Sequence, residues 1–160
     1  RIDDLIVFVY PPPDYLGIGL NVDEARIRGA EFTFDIALAG FDVSTQLSHI
    51  DPRNRSAGYE DNLLARRARN TARIDVDRGF GDFRLGLTGN GASGRYDDLA
   101  NSVRLAGYGT LDLRLEYAFH PHWTVQARAT NVFDRGYETI AWYNQPGREY
   151  GLSLRYQPSR

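Results

Sequence analysis

Large apolar side chains fall on every second position through much of the chain. In Leu111-Asp112-Leu113-Arg114-Leu115-Glu116-Tyr117-Ala118-Phe119 the odd positions are large and apolar and the even ones mainly charged. A period of two is the period of a strand and cannot make one face of a helix. The same alternation runs through residues 150–156, through Ala72, Ile74 and Val76 against Arg73, Asp75 and Asp77, and through Phe83, Leu85 and Leu87 against Arg84, Gly86 and Thr88. Weaker versions cover residues 5–10, 32–38, 43–50 and 123–132. The pattern predicts an all-β fold, an antiparallel up-and-down meander of about eight strands. Within 22–38 the phase slips: Ile27 lies on one parity and Phe32, Phe34 and Ile36 on the other, so a bulge is expected near Gly29.

The connections come in two lengths that alternate. Ala39-Gly40-Phe41-Asp42, Arg78-Gly79-Phe80-Gly81-Asp82 and His120-Pro121-His122 read as tight turns, whereas 11–20, 52–63, 94–107 and 134–147 are long, polar and broken by Gly or Pro. Transmembrane β-barrels pair short turns at one rim with long loops at the other. Phe41, Phe80, Phe119 and Trp123 all sit at the short-turn end, where an interfacial girdle of aromatic rings would lie. Segments 22–38 and 64–77 are also longer than the five or six residues usual in a soluble strand. Alternation by itself fits two arrangements: an apolar set facing lipid around a polar lumen, or an apolar set filling a soluble barrel.

Composition adds three constraints. Met and Cys are both absent, so Arg1 is expected to be a processed or cut end, and neither a disulfide nor a thiolate metal site is available. All 19 basic residues are Arg, yet the formal net charge is only -2, and strand alternation sends Arg66 and Arg67 to opposite faces, which argues against nucleic acid as a partner. The longest apolar run, 5–10, is far below the roughly 20 residues of a membrane-spanning helix. Any crossing would be made by strands.

Three strings carry a family resemblance. Asn21-Val22-Asp23-Glu24-Ala25-Arg26-Ile27-Arg28-Gly29-Ala30-Glu31 resembles the N-x-x-x-A-x-x-x-G-x-E strand found late in TonB-dependent outer-membrane receptors. Ala129-Thr130-Asn131-Val132-Phe133-Asp134-Arg135-Gly136-Tyr137 resembles their N-L-F-D-K-x-Y signature, and Pro146-Gly147-Arg148-Glu149-Tyr150 the P-G-R-x-Y that opens their last strand. Leu63-Leu64-Ala65-Arg66-Arg67-Ala68-Arg69 is similar to the LLRRAK segment of the family's vitamin B12 (cobalamin) receptors, as is Tyr137-Glu138-Thr139 followed by Tyr143. The resemblance implies that 1–160 is the C-terminal segment of a barrel of about 22 strands, without the plug domain and the earlier strands. It implies an outer-membrane location among lipid, and transport of cobalamin or another metal chelate. It further implies energy from TonB through the missing N-terminal region, and recognition of the last strand by the barrel-assembly machinery. Tyr156 fills the place of the family's terminal aromatic, although Gln157-Pro158-Ser159-Arg160 follows it.

For ligand contact the resemblance points to Arg66 and Tyr143, and Trp142, Asn144 and Tyr96 share those loops. An Arg donates to amide or phosphate oxygens, and an aromatic ring lies flat on a ring system. The alternative for Arg66 is a wall residue paired with Asp61 or Glu60. No catalytic constellation, cofactor or metal site is expected. His120 and His122 read as solvated turn residues, Tyr59-Glu60-Asp61 and Tyr96-Asp97-Asp98 as loop carboxylates rather than calcium ligands, and 89–94 as a flexible strand end lacking the Lys of a phosphate loop. Three further readings stay open: a siderophore-type receptor fragment, a small eight-stranded structural or adhesion barrel, and a soluble lipocalin-like binder.

Overall fold

The computed structural model describes residues 2–9 and 17–158. In chain order the strands are β1 (Ile2–Val9), β2 (Ile18–Leu38), β3 (Phe41–Asn54), β4 (Asn70–Phe80), β5 (Phe83–Ala92), β6 (Arg95–Tyr96), β7 (Arg104–Leu105), β8 (Tyr108–His120), β9 (Trp123–Thr130), β10 (Glu138–Ile140), β11 (Tyr143–Asn144) and β12 (Glu149–Tyr156). Eight of them make one antiparallel sheet in the order β1-β2-β3-β4-β5-β8-β9-β12, the expected meander. The sheet is open, with β1 and β12 at its two edges. The pairs β6-β7 and β10-β11 are small ribbons within the long loops.

Local chemistry explains the hairpins. Ala39 and Gly40 have φ of 52° and 79°, the double positive pair of a two-residue turn whose twist matches the strands it joins. Pairing therefore runs out to Leu38↔Phe41, Phe80↔Phe83 and His120↔Trp123, and the turns are shorter than the sequence suggested. Past the last strand, the Gln157 N–H donates to the His122 carbonyl at 2.8 Å and the His122 ring contacts the Gln157 carbonyl at 3.1 Å, so His122 holds the chain end instead of standing free.

Four expectations are corrected. β4 begins at Asn70, because residues 64–69 leave the sheet to bury Leu64 under the loops. β2 begins at Ile18, inside the expected first link; Tyr10 and most of that link lie outside the described residues, as do Ser159 and Arg160. Residues 89–92 are ordinary strand, paired on both sides. No bulge occurs at Gly29 against β3, since the register is unbroken from Ala25↔Asn54 to Leu38↔Phe41. The phase slip has another cause: Ile27 faces the polar side, where it packs with Ala25, Leu64 and Leu99. Gly29 answers to a close approach, because a Cβ there would lie 2.2 Å from the His49 carbonyl oxygen and 2.9 Å from Ile50 Cγ2.

The registers assign each side chain to a face. Phe32, Phe34 and Ile36 share one face with Leu47, Ile74, Leu85, Leu87, Leu113 and Leu115. Glu31, Asp35, Gln46, Arg73, Asp75, Asp77, Arg84, Asp112, Arg114 and Glu116 share the other. Among the described residues no second layer covers the apolar face: Phe32 is 57% exposed and Leu152 78%. Left in water, each such side chain would forgo about 1.5–3 kcal/mol, so this face is built for hydrocarbon. Among the described residues the buried apolar side chains are Ala25, Pro52, Leu64, Ala68, Leu99, Leu105 and Ala141, all at the long-loop end. The sheet thus has, among the described residues, no apolar core of its own, which agrees with an apolar set that faces lipid.

The polar face is wired across strands. Arg114 on β8 pairs with Asp77 on β4 by passing over Gly86 on the strand between, where a Cβ would stand 2.8 Å from Arg114 Nη2. Asp75 takes Arg73 at 2.6 Å and the Thr88 hydroxyl at 2.6 Å, and Glu116 accepts from Gln126 at 2.8 Å.

Gly29→Ala is expected to lower the stability of the protein by about 2 kcal/mol or more, because the neighbour is backbone and cannot move aside. Gly40→Ala, where nothing lies within 4 Å and only the positive φ is strained, should cost about 1 kcal/mol. Urea midpoints of the two variants check the difference.

Candidate functional site at the long-loop rim

Three long connections, 55–69, 93–107 and 131–148, meet at the rim opposite the tight turns. The first folds over the polar face. Leu64 donates its N–H to the Pro52 carbonyl at 2.9 Å and is 1% exposed, packed with Ala25, Ile27, Ala65 and Leu99. The second loop supplies Leu99 and two amide clamps. Asn62 Nδ2 donates to the Leu99 carbonyl at 2.9 Å, while Asn101 accepts from the Leu63 N–H at 2.8 Å and donates to the Leu63 carbonyl at 2.9 Å. Asn101 adopts a φ of 57°, a conformation its short amide tolerates.

Arg66 joins all three loops. Its backbone N–H donates to the Tyr96 carbonyl at 2.6 Å, and its guanidinium forks onto Asp97, with Nε to Oδ1 at 2.9 Å and Nη2 to Oδ2 at 3.2 Å. Asp97 Oδ1 also accepts the Ala141 N–H at 3.1 Å. The alternative reading of Arg66 as a wall residue had Asp61 or Glu60 as its partner. Instead Asp61 pairs with Arg55 at 2.7 Å and Glu60 accepts the Gly58 N–H, because the positive φ of Arg66, 60°, turns it toward the second loop.

The third loop is closed by the two C-terminal motifs acting on each other. Asn131, 5% exposed, donates to the carbonyls of Arg135 at 3.0 Å and Pro146 at 3.3 Å, and accepts the Arg135 N–H at 2.9 Å. Its own N–H goes to Asp112 Oδ1 at 2.8 Å, anchoring the loop to β8. Asp134 accepts the Arg148 N–H at 2.8 Å, and Gly147 is small because a Cβ there would lie 2.6 Å from Asp134 Oδ1. Tyr137 stacks on Tyr108 of β8 with centroids 4.0 Å apart, and burial, with Tyr108 and Asp112 nearby, pushes its phenol above the usual value. Arg95, 9% exposed, lies over the same Tyr108 ring.

The five candidates therefore stand in one loop cluster. Arg66 and Tyr96 are hydrogen-bonded neighbours, and Trp142, Tyr143 and Asn144 follow directly from Ala141. Trp142 and Tyr143 are 76% and 69% exposed, and Asn144 is exposed beside them. The sequence reading missed Asp97 and Asn101 as loop ties. Asp98 is equally structural: its carboxylate caps the turn, taking the N–H of Ser102 at 3.1 Å, the Ser102 hydroxyl at 2.8 Å and the N–H of Val103 at 2.8 Å. Partial burial opposes its charge, but these donors outweigh it and hold the carboxyl below its ordinary value.

An open meander with an uncovered apolar face, a charged opposite face and long knotted loops at one rim is a segment of a transmembrane β-barrel. The family model described as TonB dependent receptor-like, β-barrel matches residues 1–132, and the chain belongs to that family. The family is one of outer-membrane receptors and transporters, not of enzymes. The siderophore receptor PiuA of Acinetobacter baumannii is similar over 93% of this chain and 24% of its own, with a TM-score of 0.77 at 18% identity. The copper transporter OprC matches 96% of this chain and 26% of its own, with a TM-score of 0.73 at 21% identity. The ferric preacinetobactin receptor BauA of Acinetobacter baumannii matches 96% and 25%, with a TM-score of 0.71 at 20% identity. At these identities the likeness is one of fold. The chain spans about a quarter of the length of these receptors.

Asn131→Ala strips several partners from a buried loop and is expected to cost about 1–3 kcal/mol locally. Amide exchange at Arg135 should accelerate while that of β8 stays unchanged. Asp98 carries a depressed pKa, so its contribution is complete above the ordinary carboxylate value of about 4 and is lost as pH falls through its lower folded value. The Ser102 and Val103 amides, protected at pH near 6, should therefore lose protection in acid below about pH 4. Asp98→Asn should abolish that pH dependence.

Proposed function

We propose that this chain is the C-terminal portion of a TonB-dependent outer-membrane receptor whose long-loop cluster contacts a metal chelate. The missing part of the parent would supply the plug, the earlier strands and the segment that TonB engages, and β12 with Tyr156 would be the strand that the barrel-assembly machinery reads. The observation that carries the reading is the pair of exposed rings, Trp142 and Tyr143, on a loop fixed to its neighbours through Asp97. Aromatic rings held in water on a rigid support are suited to stacking on a large planar or ring-rich ligand. Tyr96 and Asn144 supply polar contacts beside them, and Arg66 supports the cluster through its fork to Asp97.

A siderophore-type ferric chelate is the first choice of ligand, in keeping with what PiuA and BauA are named for. Cobalamin is the second, resting on the likeness of residues 63–69 to the cobalamin-receptor segment. That segment has a structural reason of its own, since Leu64 is the centre of the loop core and Arg66 the loop tie, which weakens it as a signature of the ligand.

The test uses the full-length parent in detergent, titrated separately with ferric siderophores and with cyanocobalamin. Changing Trp142 and Tyr143 together to Ala should weaken whichever chelate binds by about tenfold or more. Binding of cobalamin alone would select the second reading, and unchanged affinity in the double variant would remove the loop cluster as the site.

A further inference from the structure

At the short-turn rim the apolar face carries one cation that the transport reading leaves unexplained. Arg78 of β4 shares that face with Ile74, Val76 and Phe80, and its register partner in β3 is Phe41. Its guanidinium carbon stands 4.4 Å over the Phe41 ring and 4.6 Å over the Phe80 ring. Three strand arginines of the opposite face are differently placed. Arg73 is paired with Asp75, Arg84 with Asp77 and Asp42, and Arg114 with Asp77 and Glu116. Arg78 has no ion pair among the described residues, and the carboxylates next to it in space, Asp42 and Asp77, belong to the other parity.

Rings under a guanidinium use its faces and leave its in-plane N–H donors free. The position adds a second condition. Phe41, Phe80 and Phe83, all exposed, mark the edge of the apolar band, where hydrocarbon gives way to headgroups. A cation needing in-plane oxygen acceptors at that depth is matched by a phosphate attached to acyl chains.

We propose that Arg78, with Phe41 and Phe80, forms a binding site for the phosphate of an anionic phospholipid at the short-turn rim. The site rests on the membrane-barrel reading of this chain: the acyl chains lie along Ile74 and Val76, the phosphate accepts from the Arg78 fork, and the rings hold that fork at the right depth.

The experiment is native mass spectrometry of the full-length parent released from micelles supplied with phosphatidylglycerol or phosphatidylcholine. Wild type is expected to retain phosphatidylglycerol in preference. Arg78→Gln should lower that retention about fivefold, the effect of one arginine near a charged lipid surface. Arg78→Lys should fall between, keeping the charge and losing the fork. Arg84→Gln, on the polar face, should match wild type. Glycerol phosphate without acyl chains should not be retained; retention equal to that of the lipid would overturn the assignment to a lipid. Equal retention by wild type and Arg78→Gln would overturn the site while leaving the barrel reading intact. A parent that stays folded and monomeric without detergent would instead overturn the barrel reading itself.

Discussion

Side-chain parity is the constraint on which the rest of this structure depends. A strand gives each residue one of two faces, and here one face must meet hydrocarbon while the other carries most of the charge. The registers keep that assignment unbroken from β2 to β8. A slip of one residue in β8 would turn Asp112, Arg114 and Glu116 toward lipid, at about 2–4 kcal/mol for an arginine at mid-depth. The register shift that does occur there lies between Tyr117 and His120, next to the turn, where both faces end.

Parity also decides where glycine is needed. On the polar face, side chains from alternate strands must reach one another, and a residue without Cβ on the strand between opens the way. Gly86 does this for Arg114 and Asp77, and Gly151 for Arg128, whose Nε would stand 2.7 Å from a Cβ. Arg128 therefore lies over β12, the edge strand. Arg114–Asp77 and Arg84–Asp42 each reach across an intervening strand, and as exposed or half-exposed pairs they add little net stability.

The strands were legible in the sequence because their period is local. Residues 111–119 state their own faces, and the aromatics at the short turns state where the band ends. The loops were not legible, for a reason that Leu64 shows. Its burial depends on Leu99, 35 positions later, and on Ala25, 39 earlier, pairings that no local pattern encodes. Ile27 misled the reading for the same reason, looking like a register fault when it was the floor of a loop core. Asn131, Asp134 and Gly147 were visible as motif letters, but their meaning, one clasp between two motifs, appears only when the loop is closed. Arg66 was singled out for ligand contact, and its fork to Asp97 was not foreseen, because the positive φ at Arg66 leaves no mark in composition.

The loop cluster is rigid where it touches the sheet and open where it faces outward, and the two properties support each other. Exposed Trp142 and Tyr143 on a mobile loop would lose ordering entropy at every binding event, about 0.5–1.5 kcal/mol for each side chain fixed. Tied through Ala141 to Asp97, and through Glu138 to the Trp142 N–H at 3.1 Å, that backbone is ordered before any ligand arrives. The Arg66 fork and the Ala141 N–H meet on the partly buried Asp97, where a hydrogen bond to a charged group is worth about 1.5–3 kcal/mol, while the Glu138 tie lies at the surface.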